Sequence, residues 1–335
     1  MSSDVLGDTI TEAPRPADVP RPITIPSDRS REDKIFRAVT RAAGFTAFAI
    51  LFLIGFFLLY RGFPALRIAG PKYFTTSGFS TLHKPYHIGA LAAMYGTVVV
   101  SIIAVILGVP VAIGTALFLT EYAPLRARRA LIAMVDLGAA IPSIIFGLWA
   151  LHVFQAQIAG TTSWMVRHLS FIPIFQANRP PFTSNYFIAG LVVALMIVPI
   201  VASVSREVFS LAPPGEREGA YALGATKSQM IRTVILPFGR GGMIGASMLG
   251  LGRALGETIA VLVILGNVPL ISPHILEHGG QTVAAAIAAY FGSGGTLGTQ
   301  ALLMLGFVLF TFTLIVNLVA STIVNRSRSG KGVEI

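Results

Sequence analysis

Polar and apolar positions along this chain fall in long blocks. Residues 1 to about 38 are polar, rich in proline and of mixed charge. Six apolar blocks follow, at Ala42–Tyr60, Met94–Leu119, Ala130–Phe154, Asn185–Phe209, Gly241–Gly266 and Leu297–Val324. Blocks of this length can cross a hydrocarbon core of about 30 Å. In lipid the backbone polar groups must be paired within the protein, which leaves helices or closed barrels, and the lengths select helices. The pattern predicts an all-α membrane protein whose six transmembrane helices occupy residues 39–325. A disordered tail (1–38) precedes them, because so polar a stretch buries too little apolar surface to offset its ordering entropy. That lead-in is too long and too acidic for a signal peptide. A short tail (326–335) follows. Pro110, Pro142 and Pro199 fall inside predicted helices two, three and four, where each removes a backbone donor and favours a kink.

Composition agrees with this reading. The 335 residues are 54% apolar and 12% charged, about half the charged fraction of a soluble domain. There is no cysteine, which excludes disulfides, thiol catalysis and cysteine-ligated metal. The net charge of +10 is read as a topology signal, not as a nucleic-acid footprint. Eighteen of the 25 Lys and Arg lie in or at the edge of the two tails and the second and fourth connections. Basic residues mark the cytoplasmic side, so both termini are expected in the cytoplasm, in keeping with an even number of spans.

The fourth connection reads APPGEREGAYALGATKSQMIRTVILPFGRGG. Pro213 and Pro214 end the preceding helix, Glu216 and Glu218 suit a helix start, and Gly224 supplies a turn. KSQMIRTVIL predicts a second short helix stopped by Pro237. The result is a helical hairpin at 213–237 on the cytoplasmic surface, shaped to enter a partner's groove. EGAYALGATKSQMIRTVILP resembles the EAA signature of bacterial ABC importer permeases, with Glu218, Ala220, Gly224, Leu236 and Pro237 on the pattern. Gly219 and Val234 depart mildly from it. The resemblance implies the type I importer fold, and it implies that Glu218 through Gly224 couple the membrane helices to a cytoplasmic ATPase. This chain has no nucleotide site of its own. GATKS lacks the glycines of a phosphate-binding loop, and GLGRALG has the wrong spacing for a dinucleotide turn. ATP and Mg would sit on a separate chain, and no cofactor or metal is expected here.

The fifth block, LGLGRALGETIAVLVILGN, carries Arg253 and Glu257 near its middle. A charge at mid-membrane costs about 2.5–3.5 kcal/mol on insertion scales. In a continuous helix a four-residue step places both side chains on one face, about 40° apart. Ala246, Gly250, Ala254, Gly256 and Ala260 share that side, while Ile244, Leu251, Leu255 and Leu262 oppose it and are expected to meet lipid. Arg253 and Glu257 are therefore expected inside the bundle, lining a translocation pathway. An arginine fork fits a tetrahedral oxyanion. A nearby carboxylate favours an oxyanion that keeps a proton, as hydrogen phosphate does and sulfate does not.

This stretch, with LTEYAP after helix two and DLGAAIPSIIFGLWAL in helix three, looks like the phosphate-specific ABC permeases, in particular their C-type subunit, over residues 40–325. Sulfate permeases carry a similar run, usually with Phe where Thr258 stands. In the family an Arg and a Glu of this helix are associated with phosphate translocation, which carries over to Arg253 and Glu257. The resemblance also implies a homologous permease partner, two ATPase subunits and an extracytoplasmic phosphate-binding protein, in the bacterial inner membrane. An importer of another oxyanion such as sulfate or molybdate, and a membrane scaffold that signals phosphate status, remain the alternatives. Asp136 is expected as a second intramembrane acid, paired with a basic residue near the cytoplasmic end. The histidines show no metal-ligand spacing; His274 and His278, with Glu277 between them, are read as surface residues. The outward connections 61–93 and 155–184 are large enough to receive a binding protein.

Overall fold

In the computed structural model, residues 31–80, 87–178 and 180–328 are described. Six helical stretches are long and apolar enough to cross a membrane: Arg31–Phe74, Leu91–Tyr122, Ser143–His168, Tyr186–Ser210, Lys227–Gly256 and Gly295–Thr322. The chain divides into two units, one up to Phe52 and one from Leu53 onward. The first unit contributes the start of helix α1 (Arg31–Ala69), whose side chains are mostly exposed. Residues 31–38, expected in a disordered tail, are helical. They carry good helix formers and acids, Glu32 and Asp33, in the first turn where the helix dipole favours them. The rest of the expected tail, residues 1–30, lies outside the described residues, as do residues 329–335 at the other end.

In the second unit, α2 (Leu91–Leu117) and α6 (Tyr186–Ser210) form the centre. Buried residues make up 56% of the apolar window of α6, against at most 28% in any other span. Asn185 caps α6, its side chain accepting from the amide of Ile188 at 3.0 Å. The two helices approach closely on small residues. A methyl at Gly190 would lie 2.5 Å from Ile103 Cγ2, and one at Gly108 would lie 2.9 Å from Ile197 Cγ1. Pro110 and Pro199 are inside α2 and α6, as expected.

The third apolar block is not one helix. It is α3 (Leu125–Ala140), a break at Ile141 and Pro142, then α4 (Ser143–Trp149), one π-turn (Ala150–Phe154) and α5 (Gln155–His168). Ile141 is extended, φ −65° and ψ 126°, because the Pro142 ring disfavours helical backbone in the residue before it. The span is therefore Ser143–His168, and α3, which packs on α6 through Val135 and Gly138, has no buried residue. Asp136, on α3, consequently lies outside the spans and is half exposed. Arg206 Nη2 approaches its Oδ2 at 4.0 Å, a pair worth little at such exposure.

The fifth block also differs. Thr226 and Gln229 close a capping box that starts α8 (Lys227–Met230). A π-turn (Ile231–Ile235) then leads into α9 (Leu236–Gly256) without interruption. Pro237 does not stop this helix. It falls in the first turn of α9, after a wide turn that gives its ring room where a regular helix would present a carbonyl. The chain breaks at Glu257 and Thr258 and resumes as α10 (Ile259–Leu265), which ends at Gly266 with φ +68°. Leu255, expected to meet lipid, is buried at 4% exposure.

The connection after α10 is packed into the bundle, not draped over it. Tyr186 Oη donates to the carbonyl of Leu270, the amide of Phe187 donates to Ile275, and Asn185 Nδ2 donates to Leu276. These partners satisfy backbone groups that would be costly if buried alone. A helix that the apolar blocks did not predict, α11 (Val283–Tyr290), follows, capped by Thr282. The last helix, α12, covers Gly295–Arg328. It packs on α1 where a methyl at Gly62 would lie 2.6 Å from the Met304 backbone nitrogen. A two-residue pairing, β1 (Phe79–Ser80) with β2 (His87–Ile88), closes the connection between α1 and α2.

Candidate functional site: a broken helix and a cytoplasmic hairpin

Two helix breaks meet at one cavity. α4 and α10 pack together, close enough that a methyl at Gly147 would lie 2.8 Å from Ala260 Cα. Just beyond that contact the break before α4 brings Ser143, and the break between α9 and α10 brings Glu257 and Thr258, to the wall of a cavity of about 500 Å³. Gly252, Arg253, Gly256 and Ile259 complete the wall. Irregular backbone at membrane depth is tolerated where it is buried in protein or lines a polar cavity, and broken helices of this kind hold the substrate sites of many transporters.

Arg253 occupies the last turn of α9, and Glu257 adopts an extended conformation, φ −66° and ψ 127°. The two are thus not neighbours on a continuous helical face, and no ion pair within 4.0 Å joins them. Glu257 is buried at 8% exposure. Arg253 Nε is buried without a hydrogen-bond partner, and a buried polar group in that state calls for an explanation such as a bound ion or ligand. Arg253 and Gly252 also line a second cavity, of about 680 Å³, with Ile200, Gly245, Met248, Leu249 and Asn317. Arg253 therefore stands between two cavities: one at the helix break, the other on the side of the α8 end of the span.

The glycines of α9 divide into two groups. Gly250 is a packing glycine: a methyl there would lie 2.6 Å from Val201 Cγ2. Gly245, Gly252 and Gly256 would bring a methyl against nothing within 4 Å. These three keep the cavity walls bare. A helix-interior glycine costs about 0.5–1 kcal/mol relative to alanine, and no contact among the described residues requires it at those positions.

The hairpin forms at the opposite end of α9. α7 (Pro214–Ala222) ends in Gly224, with φ +81°, a backbone conformation that glycine adopts without strain. Ala220, Leu236 and Val234 pack against buried Phe209, Met230 and Ile235, so this side of the hairpin rests on the ends of α2 and α6. Glu218, Gly219 and Gly224 are exposed, and Leu223 is 90% exposed at the tip. Arg217 anchors the hairpin. Its Nη1 donates to Glu121 Oε1 at 3.1 Å and its Nη2 to the carbonyl of Phe209 at 2.6 Å. Lys227 Nζ donates to the backbone carbonyl of Glu121 and sits 4.6 Å from the Tyr122 ring centroid. Glu121 and Tyr122 belong to the π-turn (Phe118–Tyr122) that ends α2.

The structure thus brings Glu218, Ala220 and Gly224 into one hairpin with Leu236 and Pro237 at its base, and it places Arg253 and Glu257 on one cavity by way of a helix break. Asp136 joins neither. Sequence reasoning missed Ser143, Asn317, Glu121, Arg217 and Lys227. An isolated Asn in an apolar block and an acid within LTEYAP were the available signals. His274 Nδ1 lies 3.9 Å from Glu277 Oε2, and His278 Nδ1 lies 2.9 Å from the Thr183 carbonyl. Among the described residues no cluster of three metal-ligating side chains forms.

Residues 104–329 match the family of binding-protein-dependent transport system inner membrane components. The chain belongs to this family. It is a multi-pass inner-membrane transport component, with six candidate spans among the described residues. It is 42% identical over 304 residues to the phosphate transport system permease protein PstC 2 of Mycobacterium tuberculosis, covering 90% of this chain and 94% of the relative. It is 43% identical to the phosphate transport system permease protein PstC of Mycobacterium leprae, covering 91% and 97%. The corresponding protein of Xylella fastidiosa is 38% identical, with 94% and 98% covered. Among solved structures, a chain of a bacterial ABC transporter involved in the import of the acidic polysaccharide alginate superposes with a TM-score of 0.53. It is 18% identical, with 88% of this chain and 99% of that one covered. At that identity the likeness shows the fold of this inner-membrane component and nothing about its substrate.

Proposed function

We propose that this chain is a transmembrane permease subunit of an ATP-driven importer of inorganic phosphate. The observation that carries the reading is the identity of 42–43% to permeases named for phosphate transport, over nearly their whole length. The unpaired Arg253 Nε at the junction of two cavities supports it independently. A homologous permease chain would complete the pathway, because Gly245, Gly252 and Gly256 line walls that this chain alone leaves open. Two ATPase subunits would dock on the exposed edge of the α7–α8 hairpin, at Glu218 through Gly224, and would hold ATP and Mg. An extracytoplasmic binding protein would deliver phosphate at the opposite end. Both termini would be cytoplasmic.

In this mechanism Arg253 supplies a fixed charge and a planar fork of donors to the oxyanion. Glu257 faces the same cavity and can accept the hydrogen bond of a protonated phosphate oxygen. ATP binding draws the hairpins together and opens the pathway outward, and hydrolysis resets it. The test is uptake of labelled phosphate into proteoliposomes that hold this chain with its partners, wild type beside Arg253→Gln, with sulfate and molybdate as competitors. Uptake that needs ATP, ignores sulfate and collapses in the variant supports the reading. Competition by sulfate redirects it to a broader oxyanion importer, and undiminished uptake in the variant removes Arg253 from the pathway.

A further inference from the structure

We propose that Asn317 of α12 is a second anion contact in this pathway, receiving the oxyanion from Arg253 on the side of the coupling hairpin. The inference rests on the phosphate-permease reading above and assigns a role to a side chain outside it.

Asn317 is exposed within an apolar stretch of a membrane span, flanked by Val316 and Leu318, and its side chain makes no hydrogen bond among the described residues. An amide at this depth carries a desolvation cost unless something meets it. It is placed where an anion would pass. Asn317 and Arg253 line one cavity of about 680 Å³, and Arg253 also lines the cavity at the helix break, beside Glu257. The other residues of the Asn317 cavity are apolar or glycine: Ile200, Gly245, Met248, Leu249 and Gly252. An anion moving off Arg253 in this direction therefore meets one polar side chain of this subunit.

The chemistry of an amide suits that place. A guanidinium holds an oxyanion by charge and by paired hydrogen bonds, which slows release. Passage requires sites that bind well enough to admit the ion and weakly enough to let it leave. The Asn317 amide offers two neutral donors. It can replace hydrogen bonds lost from Arg253 without adding a second positive charge. A carboxylate at the same position would repel the anion, and an alkyl group would leave it unsolvated.

The experiment uses the assembled transporter in proteoliposomes, fed with the binding protein loaded with radiolabelled inorganic phosphate. Asn317→Leu is expected to lower the maximal uptake rate about tenfold, the worth of one hydrogen bond to a charged group. The KM for the loaded binding protein should stay near wild type, because delivery precedes this contact. Asn317→Asp, nearly the same shape, should fall at least as far, and Asn317→Thr, which keeps a donor, should stay closer to wild type than Asn317→Leu. Wild-type rates in Asn317→Asp and Asn317→Leu would overturn the proposal. So would failure of these variants to copurify with the partner permease, which would make Asn317 a contact between subunits. Absence of phosphate uptake by the wild type would instead overturn the phosphate reading itself, and Arg253→Gln run in parallel separates the two failures.

Discussion

Glu121 and Arg217 are 96 residues apart in the chain, yet the carboxylate of one accepts from the guanidinium of the other at 3.1 Å. The pair ties the hairpin that follows α6 to the π-turn that ends α2. Glu121 is buried, its side chain 7% exposed, so its charge depends on Arg217 for compensation. Glu121→Gln and Arg217→Gln should each weaken seating of the hairpin by about 1.5–3 kcal/mol, the worth of a hydrogen bond to a charged group. A double-mutant cycle read by copurification of the ATPase should show most of that as coupling between the two positions. Additive losses would mean that the residues act separately.

Gly252 and Gly250 should respond oppositely to alanine. Gly252→Ala meets open space, so detergent melting should show equal or higher stability, by up to about 1 kcal/mol. Phosphate uptake should fall, because the methyl projects into both cavities beside Arg253. Gly250→Ala presses on Val201 and should lose about 1–3 kcal/mol of stability. A Gly252→Ala protein with full uptake would show that the bare wall is not used.

Glu257→Gln should alter selectivity more than capacity. The carboxylate can accept a hydrogen bond from hydrogen phosphate, and sulfate has no proton to donate at neutral pH. Loss of that contact should narrow the preference for phosphate over sulfate by about tenfold. Competition assays at fixed phosphate would read it. An unchanged preference would move selectivity to other residues or to the binding protein.

Gly224→Ala tests the hairpin turn. Its φ of +81° is costly for any residue with a Cβ, about 1 kcal/mol or more. No neighbour lies within 4 Å of an added methyl, so the effect is one of backbone strain alone. Uptake and ATPase attachment should fall together while the melting of the membrane helices changes little. Hydrogen exchange at Leu223 and Ala225 would locate the loosened turn.

The apolar blocks matched the six spans in number and order, because hydropathy over about 20 residues reports directly on residence in lipid, but the third block overlaps its span only from Ser143 to Phe154. Gly224 and Glu216 in the first turn of α7 made the hairpin legible for the same kind of local reason. The helix breaks were less visible. Pro142 was read as a kink, although the bias of Ile141 against helical backbone was there to be used. At Glu257 no proline marks the interruption, and helical geometry wrongly placed Arg253 and Glu257 one turn apart on a single face. Their common cavity was foreseeable only from the cost of two charges in lipid. Glu121 meets Arg217, and Arg253 shares a cavity with Asn317, through tertiary packing, on which hydropathy and local periodicity are silent.

The close contact of α2 with α6 has a mechanical consequence. Ile103 fills the space at Gly190 and Ile197 the space at Gly108, so neither helix can slide along the other without collision. Arg217 grips both at their ends, through Glu121 and the Phe209 carbonyl. A force applied at the hairpin thus reaches a stiff two-helix lever, not a single flexible rod. Compliance is concentrated where no helical hydrogen-bond ladder crosses, at Ile141–Pro142 and Glu257–Thr258. Ser143, just after the first break, and Glu257 with Thr258, at the second, line the same cavity, so the parts of the chain freest to yield adjoin the walls around Arg253.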